Sequence, residues 1–159
     1  KSCDGGYMIA CRNLGVMYQF GLGVEQDFKK ALELSSEVCN SGFLVGCTQV
    51  GIMYQAGQGV DIDFNMSMEY LKKGCDVGDP QGCYFLALQY FFGKGVKADF
   101  TTALSLYTNS CDKKHYTACG YLGLMYQEGY GVEPDIEKSQ YFFKKSCDGG
   151  IETSCEELK

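Results

Sequence analysis

The chain has 159 residues, 45% of them hydrophobic, with 14 Lys and Arg against 20 Asp and Glu and a net charge of -6. That acidic balance leaves no basic face to follow a phosphate backbone and excludes nucleic acid as the partner. The longest mostly apolar run, Tyr84 to Phe92, is interrupted by Gln89 and falls far short of the roughly 20 residues a membrane span needs, so no membrane span is expected.

Ten cysteines run in two interleaved series, Cys3, Cys39, Cys75, Cys111, Cys147 and Cys11, Cys47, Cys83, Cys119, Cys155, each advancing by 36 residues. A period of this length is that of helical-hairpin repeats, which bury their apolar faces by stacking on one another. The reading is one all-α domain over 1–159, an α/α superhelical solenoid with four repeats from about 8 to 150. A partial repeat at 1–7 precedes them and a capping helix at 151–159 follows. Lys1 opens in mid-repeat with neither Met nor a charged-then-apolar leader, which predicts that a signal peptide or earlier repeats have been removed.

First helices are predicted at 8–20, 44–56, 80–92 and 116–128. In the first of them Cys11, Leu14, Gly15 and Tyr18 fall at i, i+3, i+4 and i+7, a single stripe expected to face the core. A Gly-x-Gly-Val run beginning at Gly21, Gly57, Gly93 and Gly129 ends each helix by supplying left-handed backbone. Asp27, Asp63, Asp99 and Asp135 then cap second helices at 27–39, 63–75, 99–111 and 135–147. Asp79-Pro80 is a further start signal, a capping acid with Pro at the first helical position. The last short helix, near 151–158, carries Glu152, Glu156, Glu157 and Lys159, the polar face a terminal cap requires.

Two cysteine pairings fit the period, Cys3 with Cys11 across a short loop or Cys11 with Cys39 across a hairpin. The first is favoured. A tight antiparallel connection brings the end of one helix and the start of the next within the roughly 4.4 to 6.8 Å between Cα atoms that a bridge needs. The same holds for Cys39 with Cys47, Cys75 with Cys83, Cys111 with Cys119 and Cys147 with Cys155. Five bridges imply an oxidising compartment, so the protein is expected to be secreted or periplasmic; the competing reading is buried thiols used as small hydrophobes. Neither Cys-x-x-Cys nor a Cys-His cluster occurs, so redox catalysis and metal binding are not expected, nor is any cofactor.

The pattern Leu-Gly-x-Met-Tyr-x-x-Gly-x-Gly-Val-x-x-Asp, closing on Cys-Asp-x-Gly, resembles the Sel1-like repeat, a relative of the tetratricopeptide repeat. Two cysteines per repeat make it similar to the Helicobacter cysteine-rich proteins within that family. Departures are Ala87 for Gly, Gln89 for Met and Lys114 for the Gly at positions 6, 42, 78 and 150. The resemblance implies a secreted or periplasmic right-handed superhelix acting in protein or cell-wall interaction. Some members of the group are described as penicillin-binding or β-lactamase-like, which supplies the alternative of a cell-wall hydrolase.

Several motifs have plain structural readings. Gly-x-Gly follows a helix each time and opens no dinucleotide fingerprint. The acidic series Asp61, Asp63, Asn65, Ser67, Glu69 lacks the Gly and the bidentate Glu of a calcium loop, having Met66 and Lys72 there. Ser110-Cys-Asp-Lys113 matches Ser-x-x-Lys without its companion motifs, so no catalytic residue is assigned. Asp63-Phe-Asn65-Met-Ser67 fits an extended glycosylation sequon, but inside a helix.

By resemblance to tetratricopeptide arrays, first helices line a concave surface. Their second stripe reads Asn13, Met17, Phe20; Gln49, Met53, Ala56; Phe85, Gln89, Phe92; and Tyr121, Met125, Glu128. Amides suited to a peptide backbone and adaptable Met and aromatic groups make Asn13, Met17, Gln49, Met53, Phe85, Gln89, Phe92, Tyr121 and Met125 the candidate binding residues. The competing reading packs Met17, Met53 and Met125 between repeats. Tyr84, Phe85, Phe91 and Phe92 concentrate aromatics in the third repeat as an expected contact patch. The functional expectation is a non-enzymatic scaffold for a protein, peptide or cell-wall fragment.

Overall fold

The structure, a computed structural model, describes residues 8–159; Cys3 and the partial repeat at 1–7 lie outside the described residues. The fold is all-α. Among the described residues the helices are α1 (Met8–Phe20), α2 (Phe28–Asn40), α3 (Val45–Ala56), α4 (Phe64–Asp76), α5 (Pro80–Phe92), α6 (Phe100–Asp112), α7 (Tyr116–Glu128), α8 (Ile136–Asp148) and α9 (Glu152–Glu156). They group into two compact units, 1–82 and 83–159, the division falling in the first turn of α5.

The helix starts follow from side-chain chemistry. Asp27 accepts from the N–H of Lys30, Asp63 from Asn65 and Met66, Asp99 from Thr102 and Asp135 from Lys138; each satisfies amides that the helix itself leaves unpaired. Asp79 does the same for Gln81 ahead of Pro80. The loop before each second helix is closed by the N–H of that same Asp donating to the carbonyl of the repeat Tyr, at 2.9, 3.1, 2.9 and 2.8 Å for Tyr18, Tyr54, Tyr90 and Tyr126. Gly57 and Gly129 end α3 and α7 in the left-handed region and donate to Met53 and Met125 carbonyls.

In the N-terminal unit Val38 packs with Cys11, while Val50 packs with Cys39 and Cys47. Two glycines let helices approach closely: a Cβ on Gly51 would lie 2.7 Å from Leu71 Cγ, and one on Gly46 2.6 Å from Val38 Cγ1. In the C-terminal unit Ala87, Ala103, Tyr107, Cys111, Ala118, Cys119, Leu122 and Met125 form one core. Ala87, which stands where Gly51 and Gly123 do, is fully buried in this cluster.

The expected core stripe of α1 is corrected at two positions. Cys11 and Gly15 are buried, but Leu14 is 37% exposed, Tyr18 is half-buried, and Gln19 completes the buried line. The equivalents of Leu14 are buried, and Leu122 shows why: it packs against Ala87, Ala103 and Tyr107 of the preceding hairpin. No hairpin precedes α1 among the described residues. The closing helix is shorter than expected, and Ser154 fixes it by sharing a 2.8 Å hydrogen bond with Ser146, whose hydroxyl also reaches the Tyr116 carbonyl.

The local cysteine pairing is the observed one. Cys39–Cys47, Cys111–Cys119 and Cys147–Cys155 are bonded with Cα atoms 4.7, 4.9 and 4.8 Å apart, within bridging reach. Cys11, Cys75 and Cys83 are also disulfide-bonded. No described helix is long and apolar enough to cross a membrane.

Candidate functional site

The predicted binding stripe separates into surface and core residues. Asn13 is exposed, Met17 36% exposed and Phe92 54% exposed, while Gln49, Phe85 and Tyr121 are half-buried. Met53, Gln89 and Met125 are each 0% exposed, which corrects their assignment to an open surface. The cause is clearest in the C-terminal unit, where Met125 belongs to the Ala87–Tyr107 core. At Met53 and Met125 this helical position turns inward where a hairpin of the same unit precedes it, and Met17 stays open for the same reason as Leu14.

The aromatic concentration of α5 is also largely packing. Phe91 lies 5.3 Å from Phe100, 6.0 Å from Tyr121 and 5.4 Å from Tyr130 between ring centroids. Tyr84 stacks on His115 at 4.4 Å and meets Tyr107 and Tyr121 at 6.0 and 5.9 Å. Phe85 sits edge-on to Tyr84. Of the four, Phe92 alone presents most of its ring to solvent.

Within the C-terminal unit a groove of about 390 Å³ runs along α7, lined by Tyr84 and Tyr121 and by the apolar Leu124, Phe143 and Ile151. Gln127 and Glu157 supply a polar rim. Gly120 on the α7 face stays small because a Cβ there would lie 2.9 Å from Ser154 Oγ. A concave apolar surface with a few placed polar groups is the usual form of a recognition site. Tyr121 is the predicted residue that lines this groove; Leu124, Gln127 and Phe143 were not anticipated, though Leu124 and Gln127 lie on the same helix as Tyr121.

The N-terminal unit holds a second feature that residue spacing left unassigned. Gln19, 3% exposed, donates to Gln58 Oε1 at 2.6 Å, accepts from Gln49 Nε2, and its carbonyl accepts from Gln26 Nε2 at 2.7 Å. The signal was the recurrence of Gln after the repeat Tyr, at Gln19, Gln55 and Gln127. A buried amide is stable only with its donors and acceptors met, and here other amides meet them.

Other flagged motifs resolve simply. Ser110 is 0% exposed at the end of α6, out of reach of a substrate. Asp63 and Asn65 are taken up by the start of α4. Among the described residues no cluster of His, Cys, Asp and Glu is arranged to hold a metal ion.

Burial and the neighbouring Tyr121 push the Tyr84 phenol from 10 up to about 12, and burial raises Tyr107 further. A phenol whose folded pKa exceeds its unfolded value favours folding below pH 10 and loses that contribution as pH climbs from 10 towards 12. Absorbance titration at 295 nm should therefore show part of the tyrosine signal appearing only as the unit unfolds. A single transition near pH 10 with the helices intact would contradict this burial.

The Sel1 repeat model matches residues 9–43, 44–79, 80–115 and 117–151. Among solved structures, the chain is similar to c5321, described as a protective antigen of uropathogenic Escherichia coli with an SLR fold (29% identity, TM-score 0.89, covering 98% of this chain and 33% of that one). It is similar to a Sel1 repeat protein of Oxalobacter formigenes (26%, TM-score 0.88, 95% and 62%) and to Helicobacter pylori cysteine rich protein B (27%, TM-score 0.65, 82% and 96%). The chain thus spans a third of the first protein and less than two thirds of the second. No curated protein matches the sequence.

Proposed function

Because the chain belongs to the Sel1 repeat family, whose members generally serve as protein-interaction scaffolds, we propose that it works outside the cytoplasm as a non-enzymatic scaffold, binding a protein, peptide or cell-wall component on its first-helix face. The observation that carries this reading is the α7 groove, where two tyrosines and the apolar Leu124, Phe143 and Ile151 line a concave surface beside Gln127 and Glu157. The disulfides support the location, since they persist in oxidising compartments. Asn13, Met17 and Phe92 are further exposed first-helix positions.

The test is capture from an extracytoplasmic extract on the immobilised oxidised protein, followed by affinity measurement for the retained component. The double change Leu124→Ala, Gln127→Ala should weaken that binding by at least about 1–2 kcal/mol, the scale of an interface anchor, with helicity retained. Binding unchanged in a folded double variant removes the groove as the contact.

A further inference from the structure

A second cleft, of about 610 Å³, opens on the C-terminal unit where the end of α6 and the turn into α7 face α8, and it shares no lining residue with the α7 groove. Lys114 and Tyr116 stand on one side, with Tyr141, Lys144 and Lys145 on the other. Its size falls within the roughly 300–1,000 Å³ of small-ligand sites.

Lys114 breaks the repeat, and two aromatic residues of the cleft stand at positions where the repeats vary. Lys114 occupies the place of Gly42, Gly78 and Gly150; Tyr116 that of Leu44, Pro80 and Glu152; Tyr141 that of Glu33, Glu69 and Ser105. Lys114 is the one non-glycine residue with positive φ among the described residues, at 66°, a conformation that costs an L-residue about 1–2 kcal/mol. Such strain concentrates at sites of function. Tyr116 in turn lies on Gly149, where a Cβ would come within 2.0 Å of the ring; the equivalents Ser41, Val77 and Lys113 all carry one. The aromatic wall and the glycine beneath it are a matched pair.

The charges leave one cation over. Lys144 pairs with Asp148 at 3.1 Å and Lys145 approaches Asp112 at 4.0 Å, whereas the Lys114 ammonium has no side-chain partner among the described residues. We propose that this cleft binds an anionic saccharide, a sugar carrying carboxylate or sulfate, with the Tyr116 and Tyr141 rings against its apolar face and Lys114 on its charge. Asp112 and Asp148 are the acceptors for ring hydroxyls, and the ammonium groups and phenols are the donors.

The test is calorimetry on the intact oxidised protein with trigalacturonate, a sulfated heparin disaccharide, neutral maltotriose and tri-glutamate. At least one anionic sugar should bind, with maltotriose about tenfold weaker or worse. Tyr141→Ala, at a residue 62% exposed, and Lys114→Gly should each weaken the anionic sugar about tenfold. Lys114→Gly restores the glycine of the other repeats, so its Tm should hold or rise, separating lost binding from lost folding. The proposal is overturned if neither anionic sugar binds, if both variants bind as the parent does, if maltotriose binds equally well, or if tri-glutamate binds as tightly as the sugars.

Discussion

Reduction of the oxidised protein is expected to lower its stability by several kcal/mol and its Tm by about 10–20 °C, taking 1 kcal/mol as roughly 2–4 °C in a chain of this size. Each bridge joins cysteines separated by 8 in sequence, at the corner where one hairpin meets the next helix. Closing so short a loop removes about 2–3 kcal/mol of unfolded-state entropy in the chain-entropy model. The contributions should sum to less than their total, because neighbouring bridges in one stack share the packing they protect. Order matters as well as size. Cys111 and Cys119 are 0% exposed, whereas Cys147 and Cys155 are half-buried, so timed alkylation under mild thiol should mark Cys147 and Cys155 first. Thermal melts by circular dichroism with and without reductant check the main claim; superimposable curves would make the cysteines packing residues rather than staples.

The cysteine register and the Gly-x-Gly-Val and Asp signals were enough to place eight helices to within a residue or so, because turn and cap chemistry is local. The surface was less legible. Positions 53 and 125 belong to the same predicted stripe as Asn13 and Phe92, yet their exposure depends on whether another hairpin covers them, which no helical wheel contains. Leu14 failed in the opposite direction for the same cause. The clefts arise where helices meet, so Leu124 and Phe143, or Lys114 and Tyr141, become neighbours only after folding. The one trace they left was departure from the repeat: Lys114 for glycine was visible in sequence, and its consequence was not.

The glycines carry the sharpest case of this. The second glycine of each Gly-x-Gly reads as turn chemistry, but the structure gives it a second task in the second and fourth repeats. A Cβ on Gly59 would lie 2.5 Å from the Phe28 carbonyl oxygen, and one on Gly131 2.6 Å from the Phe100 carbonyl carbon, with φ at +77° and +69°. The turn is pressed against the start of the preceding repeat's second helix. Gly23, at +73°, meets nothing nearer than Met17 Cε at 3.8 Å, and Gly42 and Gly150, at +90° and +94°, meet nothing within 4 Å. Alanine at Gly23, Gly42 or Gly150 should therefore cost only the left-handed backbone strain, about 1–2 kcal/mol. At Gly59 or Gly131 it adds overlap with main-chain atoms that cannot rotate away, a further 1–3 kcal/mol or so, for a loss of about 2–5 kcal/mol. Urea unfolding of the five single variants measures the difference. If Gly59→Ala and Gly131→Ala lose no more than Gly42→Ala and Gly150→Ala, the second glycine serves the turn alone and the close approach between hairpins is not what holds the repeats in register.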